Sequence, residues 1–128
     1  MTLEEYLHIL KAVSSLTRFR ILNLLYRSNR AIGQTEFVEV LQTAKSNVSR
    51  HAKILCEANI TISWKTRKRV YYTLNPNIKI KSISAILKEY QENALLKRDL
   101  KNLKKLTPPN RVRSQRQKRN TYRISVIK

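Results

Sequence analysis

Glycine and cysteine are nearly absent from this chain of 128 residues, which contains one of each. The single glycine, Gly33, excludes the glycine-rich loops that cradle phosphates in most nucleotide-dependent enzymes. The single cysteine, Cys56, excludes an internal disulfide and a zinc site made of cysteines. We therefore expect a cytoplasmic protein of a reducing compartment, with no cofactor and no metal site.

Long apolar segments are missing as well. No window approaches the roughly 18 apolar residues of a membrane span. The N-terminal residues, "MTLEEYLHILKAVSSLTRFR", include two early acids and lack the apolar run of a signal peptide. The apolar content of 41% over 128 positions supports one modest core, so we expect one domain with appended elements.

Acidic residues are scarce, with 8 Asp and Glu against 27 Lys and Arg, which gives a formal net charge of +19. Such a charge exceeds what solubility requires and indicates a polyanionic partner, with nucleic acid first and an anionic membrane surface second. An enzyme is not indicated, because the two histidines are far apart and the acids are scattered singly, so that no nucleophile and base are paired.

Helical periodicity dominates the N-terminal part of the chain. Thr2, with Glu5 three positions later, predicts a capping box for a first helix that ends near Ser14. A second helix is predicted from "LTRFRILNLLYRS", and Thr35 is predicted to cap a short third helix, "EFVEVLQ". The first helix carries an apolar stripe made of Leu3, Tyr6, Leu7, Leu10 and Val13.

The stretch "SNVSRHAKILCEANI", which follows the interruption "TAKS", has two distinct faces when its residues are placed about 100° apart. The inner face is largely apolar and comprises Val48, His51, Ala52, Leu55 and Ala58. The outer face is small, polar and cationic on balance and comprises Ser46, Ser49, Arg50, Lys53 and Glu57. A short helix, a brief turn and a helix of this kind are typical of a helix-turn-helix unit that enters the major groove of DNA.

Two alternating segments follow, "ITISW" and "VYYTL", with the cationic stretch "KTRKR" between them. They predict a β-hairpin, or wing, whose tip contacts a phosphate backbone or a minor groove. We therefore predict a mainly α fold with a small β-hairpin, in which residues 1–76 form a winged helix-turn-helix domain. The candidate DNA-binding residues are Lys45, Ser46, Asn47, Ser49, Arg50 and Lys53 in the helix and Lys65, Arg67, Lys68 and Arg69 in the wing.

The C-terminal part of the chain divides at Pro108 and Pro109, which end helical structure. Residues 77–106 are predicted to be a dimerisation segment made of one long helix, from Ile78 to Leu106 and about 40 Å long. A helix of this length exceeds what so small a core covers, so we expect the same helix of a second subunit to pack on it. Residues 107–128 contain seven cations and no acid, and predict a disordered tail that binds DNA without sequence preference.

Three segments between about Leu10 and Leu74 resemble the winged-helix repressors of the ArsR/SmtB family. "LKAVSSLTRFRILNLL" is similar to the family's opening signature, "SNVSRHAKILCEANI" to its recognition helix and "RVYYTL" to its closing wing strand. The resemblance implies a repressor that binds double-stranded DNA as a homodimer formed by the first and last helices. It places groove-facing residues at Ser46, Ser49 and Arg50 and wing cations at Arg67 and Arg69.

The chain departs from the family where its sensors and caps lie. The Cys-x-Cys pair of the metal sensors corresponds to Gly33 and Thr35, and residues 78–106 contain no histidine, so metal-regulated release is not expected. Redox sensors of the family pair two cysteines, which Cys56 cannot do within one subunit. Ala44 occupies the N-cap of the recognition helix, where the family has serine, and Lys68 occupies the position of its wing glycine.

Two interpretations of function stay open at this point. One is a sequence-specific, dimeric transcription regulator, which the resemblance makes a repressor. The other is an architectural or partition-type nucleoprotein that binds DNA or RNA with low specificity. His51 is interpreted as a packed or capping histidine, with DNA contact as the alternative, and Cys56 as a packing residue. Trp64 and Tyr72 are interpreted as residues that hold the wing on the core.

Overall fold

The computed structural model describes residues 1–77 and 81–106, in which six helices and three strands form a winged helix-turn-helix. The predicted fold class is confirmed. The basic tail of residues 107–128, predicted to be disordered, and the predicted helix start at Ile78 lie outside the described residues. The elements are α1 (Leu3–Val13), α2 (Leu16–Ser28), β1 (Ile32–Gly33), α3 (Gln34–Leu41), α4 (Lys45–Glu57), β2 (Thr61–Thr66), β3 (Arg69–Leu74), α5 (Lys81–Glu89) and α6 (Ala94–Leu106).

The first two helices begin at side-chain caps. Thr2 Oγ1 accepts a hydrogen bond from the Glu5 backbone N–H, and the Glu5 carboxylate accepts one from the Thr2 N–H, both at 3.1 Å. The predicted capping box is therefore confirmed. Ser15 Oγ caps α2 by accepting from the backbone N–H of Arg18 at 3.4 Å. Both caps satisfy donors that a helix start leaves without an intrahelical partner.

A single apolar core connects the helices to the sheet. The central helix α2 contributes the largest share, because four of its apolar side chains are almost completely buried: Ile21, Leu22, Leu24 and Leu25. On the sheet side the rings of Phe37 and Tyr72 pack with centroids 6.0 Å apart. α1 contributes only Ile9 and Ala12 as buried residues, and most of its apolar stripe faces outward.

The only glycine, Gly33, ends strand β1 and is also the N-cap residue of α3. β1 pairs antiparallel with β3, so the sheet has three strands in the order β1-β3-β2. The backbone N–H of Gly33 donates to Glu36 Oε1 at 3.2 Å, and Glu36 is fixed by Arg30 at 3.0 Å. The predicted cap at Thr35 is wrong, because this buried carboxylate caps the helix at Gly33 and α3 begins at Gln34.

Two helices replace the single long helix predicted from Ile78 to Leu106, and that prediction is wrong. α5 ends at Glu89, and Asn93 starts a new helix. Its Oδ1 accepts hydrogen bonds from the backbone N–H groups of Leu95 and Leu96 at 3.0 and 3.2 Å. An asparagine side chain competes well with the backbone for such N–H groups, so Asn93 is a favourable N-cap for the new helix.

α6 packs against α2 and α3 of its own chain. Leu96 and Leu103 are buried in this contact, and Arg20 of α2 donates two hydrogen bonds of 2.8 Å to Asp99. The apolar face of α6 is therefore covered within the chain. The sequence predicts that a second subunit covers the helical segment of residues 78–106 along its length. This expectation does not hold for α6. In the described part of the chain, no helix has the length and apolar character to cross a membrane.

Candidate nucleic-acid interface

α4 has the two faces that its sequence predicts. Val48, Ala52 and Leu55 are buried against the core. The chain enters α4 through a short connection after α3, where Gln42 adopts a left-handed conformation with φ 51°. Five predicted site residues are exposed on the outer face of α4: Lys45, Ser46, Ser49, Arg50 and Lys53.

The N-terminus of α4 is open to an anion. Ala44 provides no side-chain cap, so the first backbone N–H groups of the helix have no side-chain acceptor. Asn47, the sixth predicted residue of this helix, is half-buried instead of exposed. Its Nδ2 donates to Thr43 Oγ1 at 2.8 Å and its Oδ1 accepts from Arg50 Nη2, so it orients the Arg50 guanidinium.

His51 connects α4 to α2. Its Nδ1 lies 3.0 Å from Nη1 of Arg18, whose Nε donates to the carbonyl oxygen of Ala12. Because a guanidinium has only donors, His51 Nδ1 must accept and the ring proton lies on Nε2. Burial, together with the positive charges of Arg18 and Arg50, lowers the pKa of His51 from its ordinary 6.5. The ring is therefore neutral at pH 7 and packs against α2, as interpreted from the sequence.

We expect the His51 contact to make stability depend on pH. The folded pKa lies below the unfolded one, so the contribution is fully present above 6.5 and decreases as the pH falls through the lowered value. The free energy of unfolding, measured by urea at about pH 7.5 and about pH 5.5, should fall less between the two in His51→Gln than in the wild type. An equal fall in both proteins would show that the contact does not contribute.

β2 and β3 form the predicted wing. Lys65 lies opposite Val70 in the antiparallel register, and Arg67 with Lys68 forms the tip. Arg67 has a φ of 57°, so the left-handed residue is one position before Lys68, where the family glycine was placed. All four predicted wing cations, Lys65, Arg67, Lys68 and Arg69, are exposed.

Aromatic residues hold the wing in place. The rings of Trp64 and Tyr71 stack across the two strands with centroids 5.9 Å apart. Tyr72 is buried, and its hydroxyl accepts a hydrogen bond from Gln34 Nε2 at 3.0 Å. The hairpin is thus attached to α3 through Tyr72, which agrees with its interpretation from the sequence. The side chain of Trp64 stiffens the hairpin itself.

A narrow crevice connects α4 with the wing. Lys45 of α4 and Lys68 and Arg69 of the wing lie along it, together with Gln34 and Thr35 at the first turn of α3. Its described lining residues include no acid. Three cations and the N-terminus of α3 therefore border one concave surface, which is the arrangement that a phosphate contact requires. β1, which ends at Gly33 beside this crevice, is too short to be detected by periodicity.

Residues 1–77 and 81–106 contain no group of three His, Cys, Asp or Glu side chains that could hold a metal ion. The positions of the metal sensors' cysteines do not fit this role. Gly33 has no side chain and its α-carbon faces Tyr71, and Thr35 is an exposed alcohol. Cys56 is half-buried, and its Sγ lies 3.2 Å from Thr61 Oγ1, so it packs between α4 and β2.

Comparison with known proteins decides the family. No family model matches the chain. It is 30% identical over 93 residues to the transcriptional repressor PagR of Bacillus anthracis, a match that covers 71% of this chain and 89% of PagR. The chain belongs to the ArsR/SmtB family of winged helix-turn-helix transcription regulators.

Solved ArsR/SmtB structures have the same fold. Reduced HlyU from Vibrio cholerae gives a TM-score of 0.57 at 21% identity, over 71% of this chain and 90% of that one. HlyU from Vibrio vulnificus gives 0.55 at 26% identity, over 71% of this chain and 88% of that one. The prediction of a DNA-binding transcription regulator instead of an enzyme is confirmed by this ArsR/SmtB membership.

Proposed function

We propose that this protein is a homodimeric repressor that inserts α4 of each subunit into the major groove and places the wing on flanking phosphates. The observation that carries the proposal is the crevice between Lys45, Lys68 and Arg69, which makes the outer face of α4 continuous with the wing. Its relative PagR is a transcriptional repressor, which supports repression as the activity. Because its target is DNA, we infer that it acts in the cytoplasm.

Arg50 is the main candidate for reading bases. Its guanidinium is exposed at the outer face of α4 and held by Asn47, so less side-chain entropy is lost when it binds. A guanidinium suits the O6 and N7 acceptors of guanine, whereas Ser46 and Ser49 offer small groups that accept several bases. Phosphate contacts dominate the affinity in this arrangement. Neutralising about six to ten phosphates gives a log-log salt slope of about −5 to −9.

The dimer interface is proposed on α1 and α5. Large apolar side chains on α1 are exposed, with Leu3 at 71% and Leu7 at 54%, and Leu16 follows at 64%. Ile86 and Tyr90 at the end of α5 are exposed at 39% and 51%. Apolar patches of this kind mark interaction surfaces, and a two-fold axis would pair each patch with its copy.

The proposed function is tested by selecting bound duplexes from a random pool at moderate salt. We expect an inverted repeat whose half-sites lie about 10 base pairs, or one helical turn, apart. A pool without an enriched motif would contradict the proposal. If, in addition, a footprint shows continuous protection of the DNA, the result would support an architectural nucleoprotein. The net charge of +19 keeps this as the second candidate.

We expect Arg50→Ala to weaken binding to the selected site about 10- to 100-fold, because a bidentate contact to guanine contributes about 1–3 kcal/mol. Binding is measured by fluorescence anisotropy at one salt concentration. Lys88→Ala is the matched control, since it removes an exposed cation from the side of α5 opposite Ile86 and Tyr90 and should change the affinity less than twofold. If the two substitutions weaken binding equally, α4 is not the element that reads the bases.

A further inference from the structure

α6 exposes a second cationic surface, on an element other than α4 and the wing. Residues placed about 100° apart along this helix show five cations within an arc of about 120°. All five side chains are exposed: Lys97, Arg98, Lys101, Lys104 and Lys105. They span about 12 Å along the helix at 1.5 Å per residue. We name this set the α6 basic face.

The rest of the fold holds the α6 basic face rigidly. The opposite side of the helix buries Leu96 and Leu103, and packs against α2 and α3. Asp99 fixes the rotation of the helix, because Arg20 binds both of its carboxylate oxygens at 2.8 Å. The cations therefore lie on a helix that is docked against the rest of the fold, and one of the helices it packs on is the HTH helix α3.

Acidic side chains do not neutralise this surface. Asp99 is the only acid of α6, and it is buried and paired with Arg20. Lys97 pairs with Glu92 at 3.0 Å, but both side chains are mostly exposed, so the pair is weak. Within residues 1–77 and 81–106, Arg98, Lys101, Lys104 and Lys105 make no ion pair.

The arginines of α2 differ from the cations of the α6 basic face in their hydrogen bonding, although α2 also contains no acid. Arg18 donates to the Ala12 carbonyl, Arg20 to Asp99 and Arg27 to the Leu87 carbonyl. Their guanidinium groups stabilise contacts between helices. The α6 cations make no such contact in the described part of the chain, so their charge is available to a ligand.

We propose that the α6 basic face binds the phosphate backbone of double-stranded DNA without sequence preference, as a second contact surface beside α4 and the wing. The inference rests on the proposed function only in taking DNA as the ligand. At a rise of about 3.4 Å per phosphate on one strand, a face of about 12 Å covers three or four phosphates. A membrane surface fits less well, because the apolar side of α6 is already buried and has nothing to insert.

The test compares two double variants of the full chain that lose the same charge. Lys101→Gln with Lys105→Gln changes the α6 basic face, and Lys81→Gln with Lys88→Gln removes two exposed cations from the side of α5 opposite the proposed interface residues. Binding to a duplex of unrelated sequence is measured across a series of salt concentrations. We expect the magnitude of the log-log slope to fall by about 2 in the α6 variant, since each phosphate contact contributes about 0.9, and by less than about 0.5 in the control.

Equal slopes in the two variants would overturn the inference while leaving the proposed function intact, provided that Arg50→Ala still weakens binding to the selected site. If Arg50→Ala has no effect and the α6 variant still lowers the slope, the proposed function fails and the α6 surface stands. Co-sedimentation with phosphatidylserine vesicles that only the α6 variant loses, with an unchanged DNA slope, would also overturn the inference and assign the face to a membrane surface.

Discussion

Replacing Asp99 with alanine is expected to lower the free energy of unfolding by about 3–5 kcal/mol, because it leaves a partly buried cation without its carboxylate. The Arg20 side chain is 15% exposed and that of Asp99 is 1% exposed. The hydrogen bond to Asp99 raises the pKa of Arg20 in the wild type. A guanidinium also stays protonated without a partner, so Arg20 cannot relieve the loss by deprotonating in the variant. The change is measured by urea denaturation monitored by circular dichroism.

Two further variants test whether the stability lost in Asp99→Ala comes from the buried ion pair. Glu92→Ala removes the exposed ion pair with Lys97 at the start of the same helix, and should cost at most about 1 kcal/mol. Arg20→Met combined with Asp99→Leu replaces the buried pair by apolar groups and should recover most of the stability, to within about 1–2 kcal/mol of the wild type. A double variant as unstable as Asp99→Ala would show that the pair also has a role that packing cannot replace.

Leu7→Glu is expected to convert the proposed dimer into monomers at micromolar concentration. Leu7 is 54% exposed on α1, and a two-fold interface at this surface would bury two carboxylates without partners. Such a burial costs several kcal/mol, so the dissociation constant should rise by at least about 100-fold. Sedimentation velocity measures the oligomeric state, and binding to the selected inverted repeat should weaken in parallel.

The control for this substitution is His8→Glu. His8 is also exposed on α1, but lies about 100° around the helix from Leu7. It introduces the same charge into the same element and should leave the dimer intact. If both variants stay dimeric, the interface lies elsewhere on the molecule, and α1 would need another explanation for its exposed apolar stripe.

Local patterns accounted for most of the site. The two faces of α4 depend only on the 3.6-residue period, and the capping box at Thr2 needs only the residues between it and Glu5. The wing was found from its alternation, and the β2–β3 pairing places all four of its cations in exposed positions. Each of these features is determined within about 15 residues of sequence, where propensity and spacing are informative.

Features that depend on individual side-chain contacts instead of on periodicity were missed. The break at Asn93 involves neither glycine nor proline, and α6 docks through Arg20, which lies far away in the sequence. The start of α3 depends on the buried pair of Arg30 and Glu36, which no periodicity reveals. The half-burial of Asn47 comes with a local hydrogen bond to Thr43, and its contact with Arg50 shows that a polar residue on a helix can support its neighbour.

The left-handed backbone of Arg67 sets two requirements of the wing against each other. A glycine at this position would adopt the same φ without steric cost, whereas an L side chain there costs about 1–2 kcal/mol. An arginine places positive charge at the tip of the hairpin, where the proposed function has the wing contact a phosphate. The wing therefore gives up conformational stability to gain electrostatic range, which is the stability–activity trade-off that regulators share with enzymes.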